Sequence, residues 1–209
     1  MFKKINLIFL IFLLTMPLCK AFALETKTHQ DINGYVANMT FSNGFNLNTY
    51  LKDNLGLSGG IGEVVSENKK IEEWIKLGGK YEDKPPEWYS INYLRSVNHF
   101  HNPLLPWDQA YYTDWFSFCS VGHCPVSAIL WAQGPQNIDS VYNPGGDWSW
   151  SQVRSYYLAA LTSSIKTDRD TSFANTFRGM GQLMHLVQDM SVPEHTRNDG
   201  HVLKRGVII

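Results

Sequence analysis

Apolar residues recur at helical spacing along most of the chain. Ile32 and Val36 fall one turn apart behind Thr28-His-Gln-Asp31, a segment shaped like a capping box, so a helix is expected to open there. Phe45, Leu47, Tyr50, Leu51 and Leu55 predict a second helix. Ile71, Trp74 and Ile75 repeat at three and four, and Gly78-Gly79 is expected to stop that pattern. From Tyr81 to Trp107 prolines and polar residues take over. This reads as a long irregular segment with one short helix, of the kind that carries function inside a compact domain. Pro125 is placed to open a helix through Ala132, Asn143-Pro-Gly-Gly146 reads as a turn, and Val153, Tyr156, Tyr157, Ala160, Leu161 and Ile165 fit a further helix.

The last helical pattern runs from about Thr171 to Met190. Phe173, Phe177, Met180, Leu183, Met184, Val187 and Met190 form a broad apolar side. Arg178, Gln182, His185 and Asp189 line the opposite stripe beside Gly181, and Pro193 ends the helix. No alternating strand pattern, internal repeat or linker is evident. The expected fold class is all-α, a multi-helix bundle in one domain from residue 24 to 209.

The first 23 residues form a different pattern. Lys3 and Lys4 precede an apolar run from Ile5 to Leu18, and Ala21-Phe22-Ala23 follows, which is the form of a signal peptide cleaved after Ala23. The run is short for a bilayer span. Cys19 raises a lipoprotein alternative, against which Leu18 stands where a small residue is wanted. The protein is therefore expected to be secreted or periplasmic. Cys119 and Cys124 then meet an oxidising compartment. A small-loop disulfide is one reading, and a metal site with the intervening His123 is the other.

Composition narrows the class only slightly. Hydrophobic residues at 44% and charged residues at 18% belong to a globular chain, and a net charge of −1 gives no bulk attraction for nucleic acid. Trp88, Tyr89, Tyr93, Trp107, Tyr111, Tyr112, Trp115 and Phe116 are placed to border a cleft that takes either an apolar chain or a base.

The chemistry concentrates in histidines and carboxylates. His185 and Asp189 stand four residues apart on one helix face, a spacing that can grip one ion, though a surface ion pair uses the same spacing. His195 follows in the turn beyond that helix. His29 lies five residues after the expected mature N-terminus, Asp83 closes "GGKYED", and His99 sits in "NHFHNP". His101 and His123 are read as ordinary polar residues rather than ligands.

Taken in order, "THQDIN", "GGKYED", "NHFHNP" and His185-x3-Asp189-x5-His195 resemble the bacterial zinc-dependent phospholipases C, relatives of the fungal single-strand nucleases. The likeness runs over nearly the whole chain after residue 23. It implies a helical bundle with up to three zinc ions at the base of a cleft. By that resemblance Asp83, His99, His185 and Asp189 hold one zinc. Asp189 bridges to a second, completed by His29 and the backbone amine and carbonyl of Leu24. His195 begins a third with His201. Asp83 and Asp189 are the carboxylates expected to serve catalysis. Two departures accompany the likeness. Leu24 stands where the family begins with tryptophan. Four residues after His201 stands Arg205 rather than a carboxylate, so a truncated or frameshifted member, or one with an incomplete third site, is expected, with two complete sites. The implied activity is hydrolysis of a phospholipid or other phosphodiester, with transient contact to a membrane surface. The alternatives are a single-strand nuclease, which would bind nucleic acid, and an inactive, metal-stabilised exported domain.

Overall fold

The computed structural model describes residues 24–86, 93–113, 124–136 and 145–198. The expected signal peptide, Trp88, Tyr89, Trp115, Phe116, Cys119, His123 and His201 lie outside them. The elements are α1 (Thr26–Asn38), α2 (Leu47–Asp53), α3 (Ile71–Tyr81), α4 (Tyr93–Ser96), α5 (Ala128–Gln133), α6 (Trp150–Thr162), α7 (Lys166–Asp189) and α8 (Pro193–Arg197). Short 3-10 turns occur at Gly60–Gly62 and Val97–His99. Among the described residues there is no sheet, only the isolated bridges Thr40 to Asn46 and Val64 to Lys70. The all-α expectation holds. No described helix is long and apolar enough to cross a membrane.

α7 is the spine. It packs against α3 on one side and α6 on another, and α1 lies across α3. Phe173, Ala174 and Phe177 of α7 join Ile71, Trp74 and Ile75 of α3, Leu51 of α2, Ala37 of α1 and Ala160 of α6 in one apolar core. Ile71 and Leu51 are fully enclosed, so each contributes about 1.5–3 kcal/mol through burial. A smaller cluster joins Val97, Phe100 and Tyr112.

Local signals explain the starts of three helices. Asn46 caps α2 by accepting the Thr49 N–H at 3.1 Å, and Ser149 accepts the Gln152 N–H at 3.4 Å at the start of α6. The Glu73 carboxylate accepts the Lys70 N–H at 2.7 Å, closing the first turn of α3. α1 differs from expectation. It opens at Thr26 behind Glu25, whose carbonyl accepts the N–H groups of Thr28 and His29. Thr28 is therefore inside the helix and caps nothing, and His29 sits in the first turns, 1% exposed.

Two further corrections matter for the site. Gly78 and Gly79 do not end α3, which continues to Tyr81. They are the places where backbones touch. A Cβ on Gly78 would stand 2.1 Å from the Arg178 carbonyl oxygen and 2.7 Å from Gly181 Cα. One on Gly181 would stand 2.1 Å from the Ile75 carbonyl oxygen. Close crossing of α3 and α7 is the reason for glycine, not helix termination. The second correction inverts α7. Arg178, Gln182, His185 and Asp189, grouped as a polar stripe, are all buried, while Val187 from the apolar side is 73% exposed. The polar stripe faces the interior.

A cavity of about 220 Å³ opens between α2, α6 and α7, lined by apolar side chains including Leu51, Trp150, Val153 and Phe177. None of the candidate ligands lines it.

Candidate metal centre

Four elements converge below the α3–α7 crossing. α1 brings His29, the turn after α3 brings Glu82 and Asp83, the Val97–His99 turn brings His99, and α7 brings His185 and Asp189. His29, His99, His185 and Asp189 are all at most 2% exposed. Ligand atoms of His29, His185 and Asp189 lie within 4.8 Å of one another, as do those of Asp83, His99 and His185.

Asp189 is the hub. Its Oδ2 stands 2.9 Å from His99 Nδ1, 3.1 Å from His185 Nε2 and 3.8 Å from His195 Nδ1, and its Oδ1 stands 3.4 Å from His29 Nε2. Asp83 Oδ1 is 3.5 Å from His185 Nε2 and 3.8 Å from His99 Nδ1. Despite this crowding, His185 Nε2 and Asp189 Oδ2 are buried without a hydrogen bond of acceptable geometry. Buried polar atoms are rarely left so, and an ion between them is one of the standard reasons.

The other face of each ring is fixed. His185 Nδ1 donates to the Gly79 carbonyl at 2.7 Å, and His29 Nδ1 donates to Gln188 Oε1 at 2.8 Å. Gln188 in turn donates to Asn33 Oδ1 at 2.7 Å, and Asn33 donates to the Ile75 and Gly181 carbonyls at 3.0 Å each. These acceptors are all carbonyl oxygens, so in the neutral ring the proton sits on Nδ1 and the Nε2 lone pair faces the cluster. Histidine ligands are commonly held this way. The Asn33 bonds tie ring orientation to the same glycine crossing that packs the helices.

Charge completes the picture. Burial alone would push the Asp189 carboxyl up, but His185, then His29 and His99, hold it well below the usual carboxylate range. Asp83 is likewise lowered, burial being outweighed by His185 and then His99. Burial opposes protonation of His185, yet Asp83 and Asp189 raise it well above its ordinary 6.5. His99 is raised as well, burial being overcome by Asp189 and Glu82. Two buried carboxylates thus demand positive charge from the rings around them. Unpaired, such charges cost several kcal/mol each. One divalent cation meets the same demand and leaves the rings neutral.

Glu82 is a buried carboxylate that the motif reading passed over in favour of its neighbour Asp83. It is fully enclosed and accepts from Arg95 Nη2 at 2.8 Å, Gln182 Nε2 at 2.7 Å and Trp131 Nε1 at 2.8 Å. Arg95 also donates to Gln136 Oε1 at 2.8 Å and the Gly146 carbonyl at 3.1 Å. The Arg95 guanidinium and then His99 overcome the upward push of burial and hold the Glu82 carboxyl far below the usual range. No spacing rule marks this residue. Its only sequence signal is a second acid beside Asp83.

Comparison with protein-family models, with curated proteins and with solved structures gives no match for this chain.

The remaining expected residues fall as follows. His195 is brought beside the cluster. Its Nδ1 donates to the His99 carbonyl at 3.0 Å and its ring stacks on Phe100 at 4.5 Å, but it belongs to neither converging group. Leu24 is half-buried one position before the Glu25 cap. Its nitrogen is a peptide amide in the full chain, and only cleavage after Ala23 turns it into an amine ligand. His101 is buried beside His195, its N–H donating to the His195 carbonyl at 3.0 Å, and it too is outside both groups. Cys124 is disulfide-bonded, which removes its thiolate from metal chemistry. Of the aromatics expected at a cleft, Tyr112 is buried against Phe100 at 4.5 Å and Trp107 is 50% exposed.

Proposed function

We propose that this protein is a metal-dependent phosphodiester hydrolase, phospholipase C-like, with zinc as its metal. The observation that carries the proposal is the meeting of His29, Asp83, His99, His185 and Asp189 from four separate elements, with the His29 and His185 lone pairs turned inward by bonds on their far sides. Nitrogen and carboxylate oxygen donors in this number suit zinc.

Zinc bound there would supply Lewis-acid polarisation of a phosphoryl oxygen and acidification of water near neutral pH. The chain's own part is positioning and charge. Asp189 offers its two oxygens to different rings, Oδ1 toward His29 and Oδ2 toward His185 and His99, while His185 is the residue common to both converging groups. Asp83, less enclosed than Asp189, lies nearer the solvent side and is the carboxylate better placed to meet an incoming substrate. The Gln188–Asn33 relay and the Gly79 carbonyl hold two of the rings in one tautomer.

The test is hydrolysis of a chromogenic phosphocholine ester by the secreted chain, with single-stranded DNA in parallel and a chelator control. Chelator-sensitive ester cleavage is expected. DNA cleavage alone would move the activity to the nuclease side, and zinc binding without either hydrolysis would leave a metal-stabilised exported domain.

A further inference from the structure

His29 and His185 both hand Nδ1–H to a carbonyl oxygen and present Nε2 to the cluster. His99 is turned the other way. Its Nδ1 faces Asp189 Oδ2 at 2.9 Å and Asp83 Oδ1 at 3.8 Å, while its Nε2 is buried without a hydrogen bond of acceptable geometry, its nearest carboxylate oxygen being Glu82 Oε1 at 3.5 Å. We infer that Glu82 is a positioning residue for the metal centre: when the metal is held, Glu82 Oε1 closes on His99 and accepts a hydrogen bond from its Nε2–H, which commits His99 Nδ1 as the ligand atom. This inference rests on the metal reading above and adds a residue to it.

The acceptor arithmetic supports the role. An ionised carboxylate has about four lone-pair positions, two on each oxygen. Glu82 Oε2 is filled by Arg95 and Gln182. Oε1 takes Trp131 and has one position left, on the oxygen that faces His99. Every neighbour of this carboxylate is a donor, so only the ionised form fits. Arg95, enclosed with it, keeps it ionised. Glu82 is not itself a ligand. It belongs to neither converging group, and its remaining capacity points at the far side of the ring. A buried anion at that position makes the imidazole a stronger donor and removes the competing tautomer. The network also explains why Gln182 is buried on α7: it links the ligand-bearing helix to the acid that orients His99.

Nitrogen-15 NMR of the histidine side chains in the zinc-loaded full chain reads the tautomers directly, without a substitution. His99 is expected to carry its proton on Nε2, while His29 and His185 carry theirs on Nδ1. A second arm measures zinc affinity of Glu82→Gln by chelator competition, after circular dichroism shows native helix content. A loss of about 10–100-fold is expected, the usual effect of removing a ligand's outer partner. If Glu82→Gln does not fold, the tautomer arm decides alone. His99 protonated on Nδ1, or unchanged zinc affinity in a folded Glu82→Gln, overturns the role of Glu82 and leaves the metal reading standing. A folded wild-type chain that takes up no zinc overturns both.

Discussion

Gly78→Ala sets two physical effects against each other. Alanine is the better helix former, by about 1 kcal/mol in a helix interior. On propensity alone the substitution stabilises α3. The structure predicts the reverse. The new Cβ would sit 2.1 Å from the Arg178 carbonyl oxygen, where ordinary contact begins near 3.4 Å, so α3 and α7 must part by roughly 1.3 Å. Both obstacles are backbone, with no flexible side chain to yield. Overpacking of this kind costs about 1–3 kcal/mol and sometimes more, which leaves a net loss of up to about 2 kcal/mol after the propensity gain. In a chain of this size that lowers Tm by up to about 8 °C. Gly62→Ala is the control, because a Cβ there meets nothing within 4 Å. Thermal unfolding followed by circular dichroism measures both variants side by side. Zinc affinity of the folded variant should also fall, since the crossing holds Asp83 against His185. If Gly78→Ala exceeds the wild-type Tm, the close crossing is wrong and the geometry of the site goes with it.

Other outcomes follow from the same coordinates. Gln182→Ala removes a buried donor to Glu82 and an acceptor for Arg178, and should cost about 1–3 kcal/mol by urea unfolding. Val187→Ser, on the exposed side of the same helix, should stay within about 0.5 kcal/mol of wild type, so equal effects would contradict the orientation of α7. Arg95→Met leaves Glu82 without its main counter-charge and should cost about 3–5 kcal/mol near neutral pH. Glu82 is depressed from its ordinary 4.5, so its stabilising contribution is complete above that value and is lost as pH falls toward the lower folded value. The deficit of Arg95→Met should therefore shrink below pH 4.5, and a constant deficit down to pH 3 would count against the pair. His99 and His185 are raised above 6.5 in the metal-free fold. Zinc must then displace protons, and affinity should weaken as pH drops through the raised values. Calorimetry at pH 7 in buffers of different ionisation heat should show proton release, and a buffer-independent enthalpy would speak against it.

Much of this was legible from residue spacing. The periodicities of Ile71-Trp74-Ile75 and of Val153 to Leu161 predict helices that are present, and the histidine and acid blocks point to residues that do converge. What spacing does not reveal is which face of a helix looks inward. Arg178, Gln182, His185 and Asp189 share a face, as their period requires. A buried row of ligands and their supports has the same composition as a solvated stripe, so the direction of burial emerges only when α1, α3 and the His99 turn close over it. The glycines are a similar case. A Gly-Gly pair signals a helix end in one dimension and a backbone contact in three, and the choice depends on Gly181, about a hundred residues away. Glu82 was hidden because its partners Arg95, Trp131 and Gln182 are scattered with no common period.

The central claim is that these buried histidines and carboxylates hold a cation. X-ray absorption at the zinc edge tests it most directly, on full chain loaded with zinc and freed of excess by gel filtration. The account predicts retained zinc with a shell of nitrogen and oxygen only, at about 2.0–2.1 Å, with imidazole scattering beyond it. Zinc lost on filtration, or a sulfur shell near about 2.3 Å that would relocate the metal to the cysteine loop, would contradict it.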